Sequence, residues 1–154
     1  MEQVVSLAEK LKASHLTMAT AESCTGGLAA AALTDLPGSS EWFRGAVVAY
    51  ANQVKAEVLL VPEAILNEYG AVSEPAARAM AEGVCRLLKA EVGIAISGIA
   101  GPAGGTSEKP VGTVCLAWAV RGRIHSATGH FFGSRQRVRE QSVLAALSGL
   151  LNLL

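Results

Sequence analysis

The sequence predicts a single three-layer α/β/α domain, spanning residues 1–154, whose central sheet is mixed and mostly parallel. Amphipathic helical segments alternate with short apolar runs along most of the chain, which is the order expected of parallel strands joined by helices. Near the end, two strand-like runs are separated only by Arg121-Gly122, a connection short enough for an antiparallel hairpin. A length of 154 residues suits one domain with one core.

The individual elements are predicted from the spacing of apolar residues and from residues that begin or end helices. Asn52, Pro62 and Ser73 are each placed to begin a helix, and L-P-G-S-S after Asp35 is typical of a turn. The first predicted helix ends near Ser14. The other predicted helices cover Thr25–Asp35, Asn52–Leu60, Pro62–Gly70, Ser73–Leu88 and the segment from Arg135 onward. The predicted strands are Leu16–Thr20, Phe43–Tyr50, Val92–Ser97, Val111–Val120 and Arg123–Phe132.

Composition and charge exclude several classes of protein. Lys+Arg and Asp+Glu are equal at 13 each, so no overall positive charge is available to attract nucleic acid. No apolar run is long enough to span a membrane, and the first ten residues lack the order of a signal peptide. We therefore expect a small-molecule partner, with neither nucleic acid nor a membrane surface involved.

The cysteines indicate a reducing compartment. Cys24, Cys85 and Cys115 are widely spaced, odd in number and lack C-x-x-C or histidine pairing. This spacing argues against disulfides and against a zinc site. We expect a cytoplasmic protein that uses no metal and no cofactor.

The segment A-T-A-E-S-C-T-G-G at 19–27 is the first candidate for chemistry. Ser23 lies between a predicted strand and a predicted helix, where free N–H groups of the first helical turn can bind an anion or a developing oxyanion. Thr25, Gly26 and Gly27 belong to this turn, and glycine lets a substrate approach the backbone closely. An ordinary helix cap followed by close packing would give the same letters, so the segment alone leaves both interpretations open.

A serine nucleophile needs a base, and the histidines are poorly placed to supply one. The single aspartate, Asp35, lies in a predicted turn, which disfavours a Ser-His-Asp triad. Tyr50 ends a predicted strand and Lys55 lies in the first turn of the next helix, so both are expected at the same sheet edge as Ser23. Burial and the positive end of a helix dipole would both favour a neutral lysine. A surface lysine and a core tyrosine remain the alternatives.

Two segments are candidates for holding a phosphate. The glycine-rich loop at 98–110 offers backbone N–H groups, but it matches neither the Walker pattern nor G-x-G-x-x-G. Arg135 and Arg139 are spaced i, i+4 at the start of the last predicted helix, where two guanidinium groups and the helix dipole favour an anion. The alternative for the loop is a mobile connection between strands, and the alternative for the two arginines is a solvated basic turn. The loop positions expected to bind the substrate are Gly101, Gly104, Gly105 and Thr106.

Four segments in order carry a resemblance to one family: A-E-S-C-T-G-G at 21–27, V-V-A-Y-A-N-Q-V-K at 47–55, G-I-A-G-P-A-G-G-T-S-E-K-P-V-G-T-V at 98–114 and F-G-S-R-x-x-V-R at 132–139. Together they resemble the C-terminal domain of the competence/damage-inducible CinA family over almost the whole chain. The chain is similar to stand-alone members described as nicotinamide-nucleotide amidases, which hydrolyse nicotinamide mononucleotide (NMN) to nicotinate mononucleotide and ammonia. The resemblance thus implies amide hydrolysis in pyridine nucleotide recycling.

The resemblance also implies roles for individual residues. Ser23 corresponds to the family's nucleophile, and Tyr50 and Lys55 correspond to its activators. Asn52, in the same Y-x-N-x-x-K segment, is expected to contact the substrate. The leucine-rich last helix and the resemblance both favour a homodimer or a larger homo-oligomer.

Some features of the resemblance limit what it implies. Ala51, Gln53, Ala103 and Ser107 depart from common family residues, although none is the proposed base or nucleophile. Many relatives carry an additional N-terminal domain that resembles molybdopterin-binding proteins, and we do not expect its functions here. Two other functions stay open: a non-catalytic nucleotide-binding or interaction module, and an amidase for another small carboxamide.

Overall fold

The computed structural model describes all residues, 1–154. The chain folds into one five-stranded sheet with helices on both faces, in agreement with the predicted fold class. The helices are α1 (Glu2–Ala13), α2 (Leu28–Thr34), α3 (Asn52–Glu57), α4 (Glu63–Tyr69), α5 (Glu74–Leu88) and α6 (Arg135–Leu153), and the strands are β1 (Met18–Glu22), β2 (Phe43–Val48), β3 (Val92–Gly98), β4 (Thr113–Val120) and β5 (Arg123–His130).

The sheet has the order β2-β1-β3-β4-β5. Strand β1 pairs in parallel with both β2 and β3, whereas β3–β4 and β4–β5 are antiparallel. The sheet is therefore mixed, and its parallel part consists of β2, β1 and β3. The carboxyl ends of these three strands meet at one edge, which is where open α/β sheets bind their ligands.

The two faces of the sheet carry side chains of different size. Strand β1 presents Ala19 and Ala21 to α5, and β3 presents Ala95 to the same helix. Small residues let α5 pack close to the strands. The opposite face carries larger side chains such as Ile94 and Ile96, which pack with α1, α2 and α6 in a cluster of 22 buried residues. This alternation with period two explains why both faces of β1 and β3 are buried.

The predicted apolar face of the last helix is used mainly within the domain. In α6, Val138, Val143, Leu147 and Leu150 are buried against the sheet and its neighbouring helices, while Leu144 is 56% exposed. None of the helices combines the length and apolar composition that crossing a membrane requires.

Several predicted boundaries are wrong near the candidate site, among them the end of β2, which stops at Val48 and leaves Tyr50 beyond the strand. Strand β1 runs from Met18 to Glu22, two residues later than predicted, because Thr17 ends the turn after α1 by bonding Glu91. Helix α2 begins at Leu28 and not at Thr25, since the T-G-G sequence forms a turn. Asn52 does not cap α3: it is the first helical residue, and Ala51 occupies the cap position without a side-chain bond. Ser73, by contrast, caps α5 as predicted, because its hydroxyl accepts from the Ala76 N–H.

Candidate active site

A cleft of about 280 Å³ opens at the carboxyl edge of the parallel strands. It lies between the turn after β1, the start of α3, the glycine-rich loop after β3 and the first residue of α6. Of the residues predicted as site residues, those that line the cleft are Ser23, Tyr50, Asn52, Lys55, Gly101, Gly104 and Arg135. Those outside its lining are Thr25, Gly26, Gly27, Gly105, Thr106 and Arg139.

Ser23 and Lys55 are in direct contact on the floor of the cleft. The Lys55 Nζ donates to Ser23 Oγ at 3.1 Å and to the Tyr50 carbonyl oxygen at 3.0 Å. Both side chains are buried: Ser23 is 8% exposed and Lys55 1% exposed. A buried lysine beside a serine hydroxyl is the arrangement in which a neutral amine can remove the hydroxyl proton.

Burial lowers the pKa of Lys55 below the 10.5 of a free lysine. Desolvation is the main cause, because it disfavours the charged ammonium, and the nearby Cys24 acts weakly in the opposite direction. The helix dipole does not supply the effect that we expected from sequence. Helix α3 has only six residues and Lys55 lies in its last turn, where a dipole favours positive charge.

The Tyr50 side chain lies at the rim of the cleft. It is 61% exposed, and its hydroxyl accepts a hydrogen bond from the Arg135 guanidinium at 3.3 Å. The hydroxyl makes no hydrogen bond with Ser23 or Lys55. Tyr50 contacts the lysine through its backbone carbonyl, and Ser23 Oγ is in direct contact with Lys55 Nζ.

Glu22 occupies the helix N-terminus that we expected to face an anion. Its buried carboxylate accepts from the Ala29 and Ala30 N–H groups of α2 at 2.9 and 3.0 Å, and from the Thr25 hydroxyl at 2.7 Å. A carboxylate there is stabilised by the helix dipole. The expected anion site at the start of α2 is therefore filled by the protein itself.

The T-G-G turn has a conformational role. Gly26 and Gly27 adopt φ angles of 57° and 103°, in the left-handed region that favours glycine. The Gly26 N–H donates to the Ser23 carbonyl at 3.1 Å, so it is not free for a substrate. The backbone N–H groups of Cys24 and Thr25 donate to no other residue. Cys24 lines the cleft whereas Thr25 is fully buried outside it, so the Cys24 N–H is the unpaired donor beside Ser23.

Cys24 is a buried thiol next to Ser23. It is 7% exposed, and burial raises its pKa to about 11 despite the opposing effect of Arg139. Because the thiolate is the reactive form of cysteine, this environment makes Cys24 a weak nucleophile at neutral pH. The histidines are also unavailable, since none of them lines the cleft.

The glycine-rich loop is folded back on itself at its base. The Ile99 N–H donates to the Thr113 carbonyl, and the Gly112 N–H donates to the Ile99 carbonyl. The Thr106 N–H donates to the Lys109 carbonyl, and the Thr106 hydroxyl accepts from the Lys109 N–H. The Thr106 N–H is therefore unavailable to a phosphate. Gly105 packs against the Val111 backbone, where a Cβ would come within 2.7 Å. Only the first part of the loop faces the cleft.

The two arginines of α6 have different positions. Arg135 is exposed at the cleft rim, where it donates to the Gly101 carbonyl at 2.8 Å and to the Tyr50 hydroxyl. Arg139 is half-buried and donates to the carbonyl oxygens of Cys24 and Thr25 at 3.0 and 3.1 Å. Their guanidinium groups therefore do not converge on one point, as the i, i+4 spacing had suggested.

The profile of the family described as CinA C-terminal domain matches residues 2–154. The chain belongs to this family. Among curated relatives, the nicotinamide-nucleotide amidohydrolase PncC of Pseudomonas putida is 47% identical over 147 residues, covering 96% of this chain and 92% of that protein. A CinA-like protein of Syntrophobacter fumaroxidans is 48% identical over 147 residues, covering 96% of this chain and 34% of that protein.

Solved structures of the CinA superfamily share the fold. The superfamily protein of Escherichia coli matches with a TM-score of 0.96 at 39% identity, covering 99% of this chain and 88% of that one. The competence/damage-inducible protein CihA of Agrobacterium tumefaciens matches with the same TM-score at 38% identity, covering 99% and 93%. The chain spans about a third of the length of several curated relatives and nearly all of the P. putida protein.

The structural roles of two residues of this CinA domain were not predicted from the sequence. Glu22 is the only charged residue in an apolar strand, and that isolation is a signal of a buried carboxylate with a specific partner. Arg139 was predicted to bind phosphate, whereas its contacts hold the turn that follows Ser23. No local pattern indicates that second role, because the contacted carbonyls lie 114 and 115 residues earlier in the chain.

Arg139→Lys should lower kcat for the amide hydrolysis that the family resemblance implies about tenfold or more, with little change in KM. A lysine keeps the charge but cannot donate to both carbonyls with the planar guanidinium geometry, so the turn that carries the Cys24 N–H would lose its position. Steady-state kinetics measure the two parameters separately. Arg137→Ala is the matched control on the same helix, since Arg137 pairs only with Glu140 at the surface. A rise in KM without a loss of kcat would instead support phosphate binding by Arg139.

Proposed function

We propose that this chain hydrolyses the carboxamide of NMN to give nicotinate mononucleotide and ammonia, with Ser23 as nucleophile and Lys55 as base. The observation that carries the proposal is the 3.1 Å contact between Lys55 Nζ and Ser23 Oγ, both buried at the floor of the cleft. The choice of substrate is supported by the name of the P. putida relative, of which the chain covers 92%.

In the first half of the proposed reaction, neutral Lys55 takes the proton of the Ser23 hydroxyl. The Ser23 oxygen forms a bond to the carboxamide carbon, and the carbonyl oxygen becomes an oxyanion that accepts from the Cys24 N–H group. The tetrahedral intermediate then breaks its C–N bond. The Lys55 ammonium returns its proton to the leaving nitrogen, which departs as ammonia and leaves an ester on Ser23.

In the second half, water replaces the amine. Lys55 takes a proton from the water molecule as its oxygen attacks the ester carbon, and the same N–H group binds the second oxyanion. Breaking the bond to Ser23 releases nicotinate mononucleotide, and the lysine returns the proton to the serine oxygen. The lowered pKa of Lys55 supports this role, because a base must be neutral before each step.

Ammonia release from NMN tests the proposal directly. The purified chain should release one ammonia for each nicotinate mononucleotide formed, and kcat/KM should exceed that for nicotinamide and for other small carboxamides. If the chain hydrolyses another carboxamide but not NMN, the proposed mechanism stands and the proposed substrate is wrong. Tight NMN binding without ammonia release would instead identify a non-catalytic binding module.

Arg135 is the residue that we propose to contact the phosphate of NMN. It is exposed at the rim of the cleft, and its guanidinium already lies over Gly101 and Tyr50. Arg135→Ala should raise KM for NMN more than it lowers kcat, by an amount that corresponds to about 1.5–3 kcal/mol for a charge-assisted bond. It should also narrow the preference for NMN over nicotinamide riboside. An unchanged preference would place the phosphate elsewhere, for example at the Gly101–Gly104 backbone.

The cytoplasmic location and homo-oligomeric state belong to this proposal as well. All three cysteines are free, which suits a reducing compartment. On α6 the exposed Leu144 lies beside an apolar groove formed with α2, which suits contact with a second copy. Light scattering on the purified chain should give a mass of at least twice the 15.8 kDa of one chain.

A further inference from the structure

Ser97 is a buried hydroxyl next to the nucleophile that the proposed mechanism does not use. Glu22 and Ile96 are partners in the parallel β1–β3 pair, and the Ser23 N–H continues the ladder by donating to the Ile96 carbonyl at 2.9 Å. Ser23 therefore lies opposite Ser97 in the continued register of the pair. Both line the cleft, and Ser97 is 1% exposed.

The hydrogen bonding of Ser97 leaves it able only to accept. Its hydroxyl donates its single hydrogen to the Ala71 carbonyl at 2.8 Å. A serine oxygen also has two lone pairs, and no group of the protein donates to this one. Because the Ala71 carbonyl holds the hydrogen, a molecule in the cleft meets an acceptor at this point and no donor.

Ser97 and Lys55 also lie on opposite sides of Ser23. The strand order β2-β1-β3 puts the lysine segment, which follows β2, on one flank of the nucleophile and Ser97 on the other. The unpaired Cys24 N–H, the proposed oxyanion donor, follows Ser23 in the chain. A carboxyl carbon at Ser23 would therefore have separate protein groups available for each of its two heteroatoms.

We propose that Ser97 is a specificity-determining residue that selects a carboxamide over a carboxylate or an ester. This inference rests on the proposed function and adds to it the group that recognises the amide nitrogen. Ser97 Oγ accepts one N–H of the substrate carboxamide, and the nitrogen lone pair that develops in the tetrahedral intermediate stays free for the proton from Lys55. A carboxylate or ester oxygen has no hydrogen to donate, so its lone pairs face those of Ser97. The same mismatch weakens binding of the carboxylate product and favours its release.

Binding measurements on a protein that cannot turn over test this selection. In the Ser23→Ala protein, calorimetry should show NMN binding at least about tenfold more tightly than nicotinate mononucleotide, the effect of about one neutral hydrogen bond. Adding Ser97→Ala should remove most of that preference, mainly by weakening the binding of NMN. Adding Ser126→Ala is the matched control: Ser126 is a hydroxyl of β5 outside the cleft that bonds Glu74, and its loss should leave the preference unchanged.

Kinetics with an ester distinguish selection from a structural role. With Ser23 intact, Ser97→Ala should lower kcat/KM for NMN about tenfold and leave kcat/KM for the methyl ester of nicotinate mononucleotide unchanged. The inference would be overturned if Ser97→Ala left the ratio of kcat/KM for NMN to kcat/KM for the ester unchanged, whether or not both values fell. It would also be overturned if the Ser23→Ala protein showed no preference for NMN over nicotinate mononucleotide. If the preference depends on Ser97 but the wild-type chain releases no ammonia, the proposed reaction fails and the recognition role stands.

Discussion

Replacing Lys55 by arginine should reduce kcat for ammonia release roughly 10²- to 10⁴-fold, the range expected when a positioned acid–base group is lost. The guanidinium keeps its proton throughout the working pH range, so it cannot take the proton of Ser23. A coupled assay for ammonia over a range of NMN concentrations measures the effect. If Lys55→Arg retains most of kcat, Lys55 is not the base, and a relay through the Tyr50 hydroxyl would have to be reconsidered.

Because an arginine can distort a buried site, Lys55→Met is the companion variant. Methionine removes the amine but fills similar space, and it should be as inactive as the arginine variant. The wild-type chain should show kcat/KM rising with pH and levelling off above the pKa of Lys55, which burial places below 10.5. That direction follows because the neutral amine is the active form. The rising limb that belongs to Lys55 should be missing from any residual activity of Lys55→Met.

The same lysine should be visible in the pH dependence of stability. The pKa of Lys55 is lower in the folded protein than in the unfolded chain, so between the two values the unfolded chain binds more protons. The free energy of unfolding contributed by Lys55 therefore rises with pH in that window. Relative to Lys55→Met, the wild-type protein should gain stability as the pH is raised toward 10.5. If the free energies of unfolding of the two proteins, measured with urea, differ by the same amount at every pH in that range, the pKa of Lys55 is not lowered.

The contact between Ser23 and Lys55 was predictable from sequence because the position of each residue depends on the order of elements along the chain. Ser23 follows an apolar run and precedes a helical one, and Lys55 follows the next strand of the parallel sheet. In a parallel sheet the ends of such strands share an edge, so sequence order alone brings the two residues together. Burial was correctly predicted as a cause of the lowered Lys55 pKa, but the predicted dipole effect was wrong, since α3 ends at Glu57, three residues earlier than the predicted Leu60.

The residues that sequence could not place act through distant contacts. The 3.0 and 3.1 Å bonds from Arg139 to the turn after Ser23 join the last helix to the first strand. The T-G-G sequence left an anion site and an ordinary helix cap as alternatives, and the N–H groups of Ala29 and Ala30 that follow it are bonded by Glu22. Local propensity predicts which residues form a turn, whereas which donors remain free depends on the folded hydrogen-bond network.

Ser23→Ala should abolish ammonia release from NMN while leaving NMN binding largely intact. The variant removes the atom that forms the acyl bond, and no second nucleophile is placed beside it, because burial raises the pKa of the Cys24 thiol to about 11. A loss of roughly 10⁴-fold or more in kcat is expected for a nucleophile that works together with a base. Binding of NMN to the variant, measured by calorimetry, separates lost chemistry from lost structure.

Cys24→Ala is the matched test of the neighbouring thiol. It should retain most of kcat, because its backbone N–H stays in place as an oxyanion donor while only the sulfur is removed. Iodoacetamide should react slowly with the wild-type protein, since a thiol with a pKa of about 11 is almost fully protonated at neutral pH. Mass spectrometry after rapid quenching with substrate should find the acyl group on the peptide that contains residues 23 and 24, and should find it in Cys24→Ala but not in Ser23→Ala. Acylation that survives in Ser23→Ala and disappears in Cys24→Ala would assign the nucleophile to the thiol.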